Sequence, residues 1–429
     1  MMLSSRLGSV RALFSSLNYE KKWVVYTGEE SFHFRKDVTH VKVHSNVSLV
    51  PARAFVGCTN LKVVDLANAT LIGPEAFLRC ESLKRIFVPS SVIVIGDEAF
   101  SSCVKLEKVQ LSEGLETIGA GAFCKCSSLE CIKIPSTVVT IGARAFSDCK
   151  DIKDAELFEG TETIGEAAFY KCISLERIKI PSTLTAIHDY AFSKCYKLKK
   201  LYLSDVTTIG EGAFYSCHSL ERVDIPSNVT MIAEGTFFRC IKLKEVDLSN
   251  VTAIGRNAFW QCTSLKQIKI PSSVTIIGGS AFHGCARLQE VEIFAKVLEI
   301  ESAAFRGCRN FCTKISSSAF VIAPQTCGSR LWKTTAISPH LGETALISTI
   351  LTENRISKVI QGERTWKQKL DHVRDLCRLF DASSILELAI WKANMNEGNE
   401  KLGCEARQLC RTKCGSAMSI IIEGVLSFF

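Results

Sequence analysis

The chain of 429 residues has no run of about 18 consecutive apolar residues, which excludes a membrane-spanning helix as an expectation. Near its end, Ile420-Ile421-Ile422 is cut short by Glu423. A charge of one sign is also missing where it would matter. Residues 51–312 hold 30 basic and 29 acidic side chains, so the net charge of +8 comes from the two ends. Such a body is poorly suited to nucleic acid, whose affinity comes from neutralising phosphates. No Gly-x-Ser-x-Gly, phosphate loop or paired-carboxylate signature occurs, so no enzyme and no cofactor is expected. His40 and His44 share a strand face but have no third ligand nearby, and Cys410 and Cys414 are spaced as on a helix with no histidine after them. Neither pair predicts a metal site.

Apolar side chains, by contrast, are plentiful. They make up 47% of the chain against 22% charged, the mark of a large core. Residues 1–20 form a leader with Arg6, Arg11 and several serines, and Leu3, Leu7, Val10, Phe14 and Leu17 would share one helix face. The leader lacks the apolar centre of a secretory signal and suits an unstructured segment or an organelle transit peptide.

The decisive feature is a repeat. Phenylalanine recurs at Phe55, Phe77, Phe100, Phe123, Phe146, Phe169, Phe192, Phe214, Phe237, Phe259, Phe282 and Phe305, always 22 or 23 residues apart. Each is followed three residues later by cysteine, from Cys58 to Cys308, and three residues further by a large apolar residue such as Leu61 or Leu220. A short strand follows, as in Arg222-Val223-Asp224-Ile225-Pro226, and the unit closes on Ile-Gly, as at Ile209-Gly210. One such coil cannot bury its apolar residues alone, so coils must stack and share a core. Alternation predicts Val223 and Ile225 inward with Arg222, Asp224 and Pro226 outward. The Ile-Gly glycine is expected to permit a tight or left-handed turn. The Ala-Phe pair is expected to fill the far side of the core from a short helical or 3₁₀ turn.

This unit resembles the BspA-like (Treponema-type) leucine-rich repeats, over residues 38–312. The text Trp23-Val24-Val25-Tyr26-Thr27-Gly28 before Val38-Thr39-His40-Val41-Lys42-Val43, the segment Ser384–Lys392 and the closing Cys410–Gly415 resemble the diatom members. The resemblance implies an α/β repeat: a right-handed leucine-rich-repeat solenoid of about 12 coils with a parallel β-sheet face. It also implies protein or ligand binding without catalysis. Bacterial members include surface adhesins. Before the solenoid, residues 21–37 form an N-terminal cap. After it, residues 313–351 are a degenerate repeat and linker. A small helical C-terminal region, 352–429, is a cap or a separate module, since Ile385, Leu388, Ala389 and Lys392 fit helical spacing.

Two finer features follow from the repeat. Proline closes the strand in every second coil, at Pro89, Pro135, Pro181, Pro226 and Pro271, so alternate coils cannot pair identically there. The repeated cysteine reads as a column of small buried thiols, each acting as a compact hydrophobe. Thiols in such number favour a reducing compartment, hence a cytoplasmic protein, or an organelle-imported one if the leader directs it.

Function in a solenoid is carried by the outward strand positions. Two rows of these hold nine basic and eight acidic residues in all. Arg85, Lys108, Lys133, Arg177, Lys179, Lys200 and Arg222 give part of the face a basic grain, with Phe87 and Tyr202 among them and Asp224 at its edge. Arginine and exposed aromatics are the usual anchors of protein interfaces. These ten residues are the predicted partner-binding set, on a scaffold for a protein or peptide. No small-molecule substrate is evident. The alternative is a cell-surface or extracellular adhesion module.

Overall fold

A computed structural model describes residues 23–28, 35–294 and 297–308, with strand backbone at 312–315, 320–322 and 333–336. The chain divides into two compact bodies, 1–321 with 326–345 and 322–325 with 346–429, and the described residues belong almost wholly to the first. The expected leader at 1–20 and helical region at 352–429 lie outside them.

The first body is a stack of parallel coils. Each coil contributes one face strand, such as Arg85–Val88, Lys108–Leu111, Cys131–Ile134 or Asp154–Leu157, paired in parallel with its neighbours. Each also contributes a short strand on a second side, of two residues up to Ile276–Ile277 and longer at Val297–Ile300. Eight of these, from Leu49–Val50 to Thr208–Ile209, form one continuous parallel sheet. At the N-terminal end the strand Trp23–Tyr26 pairs with His40–Val43, and buried Tyr26 meets Phe55 edge-on, 5.0 Å between ring centroids.

The core is a set of columns, because residues at the same repeat position lie above one another. The twelve phenylalanines are buried and their rings stack from Phe55 to Phe305, nearly parallel, with centroids 5.0–5.7 Å apart. Beside them runs the thiol column. All twelve cysteines of the repeat are buried. From Cys80 onward each Sγ donates to the carbonyl of the phenylalanine in the preceding coil, as Cys172 does to Phe146 at 3.2 Å. The thiol is thus a core filler that also satisfies a buried carbonyl.

Three local expectations are corrected. Among the described residues the coils contain no helix or 3₁₀ turn, so the α part of the α/β expectation is not found there. Around each phenylalanine the residues two before and two after take left-handed backbone, for example Glu75 (φ 55°) and Arg79 (φ 60°). That alternation turns three N–H groups toward the next coil, where Glu75, Phe77 and Arg79 donate to Asp97, Ala99 and Ser101 at 2.7–2.9 Å. A left-handed non-glycine residue costs about 1–2 kcal/mol, and each bond returns roughly 1 kcal/mol, so the turn survives as a third inter-coil ladder.

Second, the Ile-Gly glycines are not left-handed. Their role is close approach: a Cβ on Gly142 would lie 2.6 Å from the carbonyl carbon of Gly119. Third, Pro226 is buried rather than outward, because the strand ends at Asp224 and the chain turns, with Val229 N–H donating to the Pro226 carbonyl. At the proline position of the intervening coils, Phe158 and Phe294 donate their N–H groups to Ile134 and Ile270, a bond proline cannot make, whereas Ala67 and Ser249 donate to the side chains of Asp65 and Asp247.

Candidate functional site

The outward side chains of the face strands stand in two columns set by the parallel register. One runs through Arg85, Lys108, Cys131, Asp154 and Arg177, and a second register-paired run, at the same repeat position in the following coils, holds Lys200, Arg222 and Glu245. The other runs through Phe87, Gln110, Lys133, Glu156 and Lys179, and continues through Tyr202 and Asp224. All ten predicted residues lie on this one face and all are exposed. Phe87 and Tyr202 are the most exposed aromatics there, at 52% and 66%.

The charges are not equivalent. In the centre of the face Lys133 and Lys179 both reach Glu156, at 3.0 and 3.4 Å, and Arg177 holds Asp154 at 2.6 Å. The Arg177 guanidinium keeps the Asp154 carboxyl below its ordinary value, and Lys133, then Lys179, do the same for Glu156. Further along, Arg222 pairs with Asp224 at 2.9 Å and reaches Glu245 at 3.8 Å. These pairs are exposed and add little to stability. Their effect is to engage every charge at the centre of the face, three cations sharing two carboxylates.

Arg85, Lys108 and Lys200 differ, for no ion pair reaches them among the described residues. Arg85 and Lys108 are register partners on adjacent strands, a like-charge pair that is unfavourable unless an anion comes between them. Between these two points the face sinks to a shallow depression of about 270 Å³, lined by Cys131, Ile132, Lys133, Asp154, Ala155, Glu156, Arg177 and Lys179. Buried Ala155 stands there between the bulkier Ile132 and Ile178 of the adjacent strands.

A feature not anticipated lies on another side. The residue after each ladder phenylalanine is small at Ser101, Cys124 and Ser147 but aromatic at Tyr215, Phe238, Trp260 and His283. Tyr215, Phe238 and Trp260 stack 4.4–4.5 Å apart, half-buried, and the Trp260 Nε1–H donates to His283 Nδ1 at 3.0 Å. The change of residue type at one repeat position was the available signal. Among the described residues no group of three or more His, Cys, Asp or Glu could hold a metal ion, and no helix is long and apolar enough to cross a membrane.

Comparison with known proteins agrees with this architecture. A sequence profile described as "BspA type Leucine rich repeat region" matches in six copies, over residues 25–153, 70–199, 140–265 and 200–312. No curated protein matches significantly. Among solved structures, a leucine-rich repeat protein from Bacteroides ovatus is 27% identical, with 72% of this chain and 90% of that one aligned and a TM-score of 0.55. A leucine rich cell surface protein from Faecalibacterium prausnitzii is also 27% identical, covering 65% and 92%, with a TM-score of 0.35. The pneumococcal vaccine antigen PcpA is 23% identical, covering 66% and 79%, with a TM-score of 0.46.

Proposed function

Because the chain belongs to the BspA type leucine-rich repeat family, we propose that it is a non-enzymatic scaffold that binds a protein or peptide on its face strands. The observation that carries this reading is the set of ten exposed charged and aromatic side chains that the parallel register aligns on one face. The stacked coils fix the backbone beneath these groups, so binding need order only their side chains, which favours affinity. Mixed charge on that face suits a protein partner, whose own surface is mixed, better than a polyanion. The scaffold works in a reducing compartment, cytoplasmic or reached through the leader. Support comes from the thirteen free cysteines between Cys80 and Cys308 among the described residues, which an oxidising compartment would tend to pair.

The test is affinity capture from native lysate with chemical cross-linking, using the wild-type chain and an Arg177→Glu/Lys179→Glu/Tyr202→Ala variant. The expected result is a partner cross-linked to the face strands of the wild type and lost from a variant that retains its circular dichroism. Equal capture by both chains, with cross-links elsewhere, refutes the reading.

A further inference from the structure

We propose that the partner segment is an extended acidic peptide held at two cation–aromatic points, Arg85 and Lys108 with Phe87, and Lys200 with Tyr202. The inference rests on the face being the binding surface and specifies what that surface selects.

Three observations point to it. The first is a set of cations that no ion pair engages among the described residues. Neighbouring cations on the face are bridged by acids in their own or adjacent coils, as Lys133 and Lys179 are by Glu156 and Arg177 by Asp154. Arg85 and Lys108, side by side in register, have no such acid. Lys200, which faces Arg222 in register, makes no ion pair either, and the acid within its field, Glu221, is already held by Lys244 at 2.7 Å. Aligned like charges are unfavourable in the free protein, so a carboxylate placed between them gains more than it would beside a neutralised pair.

The second is the company these cations keep. Phe87 lies two residues after Arg85, and Tyr202 two residues after Lys200, so each aromatic ring shares a strand face with its cation. A bare cation beside an exposed ring recognises an acidic residue next to an apolar or aromatic one. Val63, 39% exposed, extends the apolar surface next to the first point.

The third is spacing. From Arg85 to Lys200 the column takes five coil steps, about 24 Å at roughly 4.8 Å per strand. An extended chain advances about 3.3 Å per residue, so the two points are about seven peptide residues apart. Between them the centre, whose charges are already engaged with one another, and the shallow depression accept uncharged side chains. Beyond Tyr202 the face turns acidic at Asp224, Glu245 and Asp247, which sets the end of the acidic stretch.

The experiment selects a random 16-residue peptide library, displayed on phage, against the full chain, then measures the enriched peptides by fluorescence anisotropy. The expected winners carry two acidic-plus-aromatic or acidic-plus-aliphatic pairs six to eight residues apart. Their affinity should fall about tenfold against Arg85→Glu/Lys108→Glu and about tenfold against Lys200→Glu. A Lys171→Glu variant, altered on another side of the coil, should bind as the wild type does. No enrichment, winners without acidic pairs at that spacing, or binding indifferent to both face variants would overturn the proposal. So would a dT20 oligonucleotide that binds comparably with the same variant sensitivity, since the points would then serve phosphate. If a native partner still cross-links to the face while the peptides break the pattern, only this inference fails. If cross-links also leave the face, the scaffold reading fails with it.

Discussion

Removing one ring from the middle of the phenylalanine column should break the solenoid's continuity. Phe146 is wholly buried and stacks on Phe123 at 5.4 Å and on Phe169 at 5.3 Å. Phe146→Ala loses the transfer energy of the ring and leaves a cavity, about 3–5 kcal/mol in ordinary cores. Two offset-stacked contacts contribute roughly 0.5–1.5 kcal/mol each beyond buried area, which places the expected loss at the upper end, about 5 kcal/mol. Phe146→Leu keeps most of the volume but neither stack and should lose about 2 kcal/mol. Urea denaturation followed by far-ultraviolet circular dichroism reads both. With a slope of about 3 kcal/mol per molar, the alanine variant's midpoint should fall by about 1.7 M. Coils couple only to their neighbours, so the transition should also broaden or split as the two halves unfold separately. A loss below about 1.5 kcal/mol for the alanine variant would mean that the rings do not share a dry, continuous core, and the reasoning would fail.

Other outcomes follow from the same geometry. Gly160→Ala should destabilise by at least about 3 kcal/mol, because its backbone is left-handed (φ 117°) and the added methyl would collide with the Ser136 carbonyl oxygen. Gly235→Ala, also left-handed but with its nearest atom, Phe238 Cβ, 3.9 Å away, should cost only about 1 kcal/mol in the same urea assay. Burial pushes the Cys103 thiol up to about 12 and Cys58 to about 11. The unfolded chain therefore loses these protons first, and their stabilising contribution is complete below about pH 9 and falls as pH rises toward 11–12. Between pH 9.5 and 11, Cys103→Ala should reduce the slope of stability against pH by about 1.4 kcal/mol per unit, and an unchanged slope would contradict the burial argument.

Much of the fold is legible in the residue spacing, for a physical reason. A column exists only if the same side chain returns at the same place in every coil, so Phe55 to Phe305 and Cys58 to Cys308 announce the core directly. Prolines in alternate coils likewise announce the missing N–H that Phe158 and Phe294 supply in between. What the sequence hides is backbone sign. Glu75, Arg79 and Lys171 carry no mark of left-handed geometry, since inter-coil hydrogen bonds impose it against their intrinsic preference. Gly142 misleads for the converse reason, because crowding by Gly119 rather than a turn demands it.

The candidate site is legible to a lesser depth. The outward rows name Arg85, Arg177 and Lys200 alike, and nothing in composition separates them. Only the geometry pairs Arg177 with Asp154 and leaves Arg85 and Lys200 without an ion pair among the described residues. The stack of Tyr215, Phe238 and Trp260 escapes notice because a single aromatic after the core phenylalanine looks like ordinary variation until successive coils are superposed.

The coil that carries Cys124 and Cys131 supplies its own test of where a partner sits. Cys131 is exposed on the face among the candidate residues, whereas Cys124 is half-buried on the side of the later aromatic stack. The most direct measurement is the rate of N-ethylmaleimide modification at each thiol, read by peptide mass spectrometry, in the free chain and in the chain bound to its captured partner. Binding on the face predicts that Cys131 is slowed at least about tenfold while Cys124 keeps its rate. Unchanged modification of Cys131 in the complex, with Cys124 protected instead, would contradict the face as the binding surface.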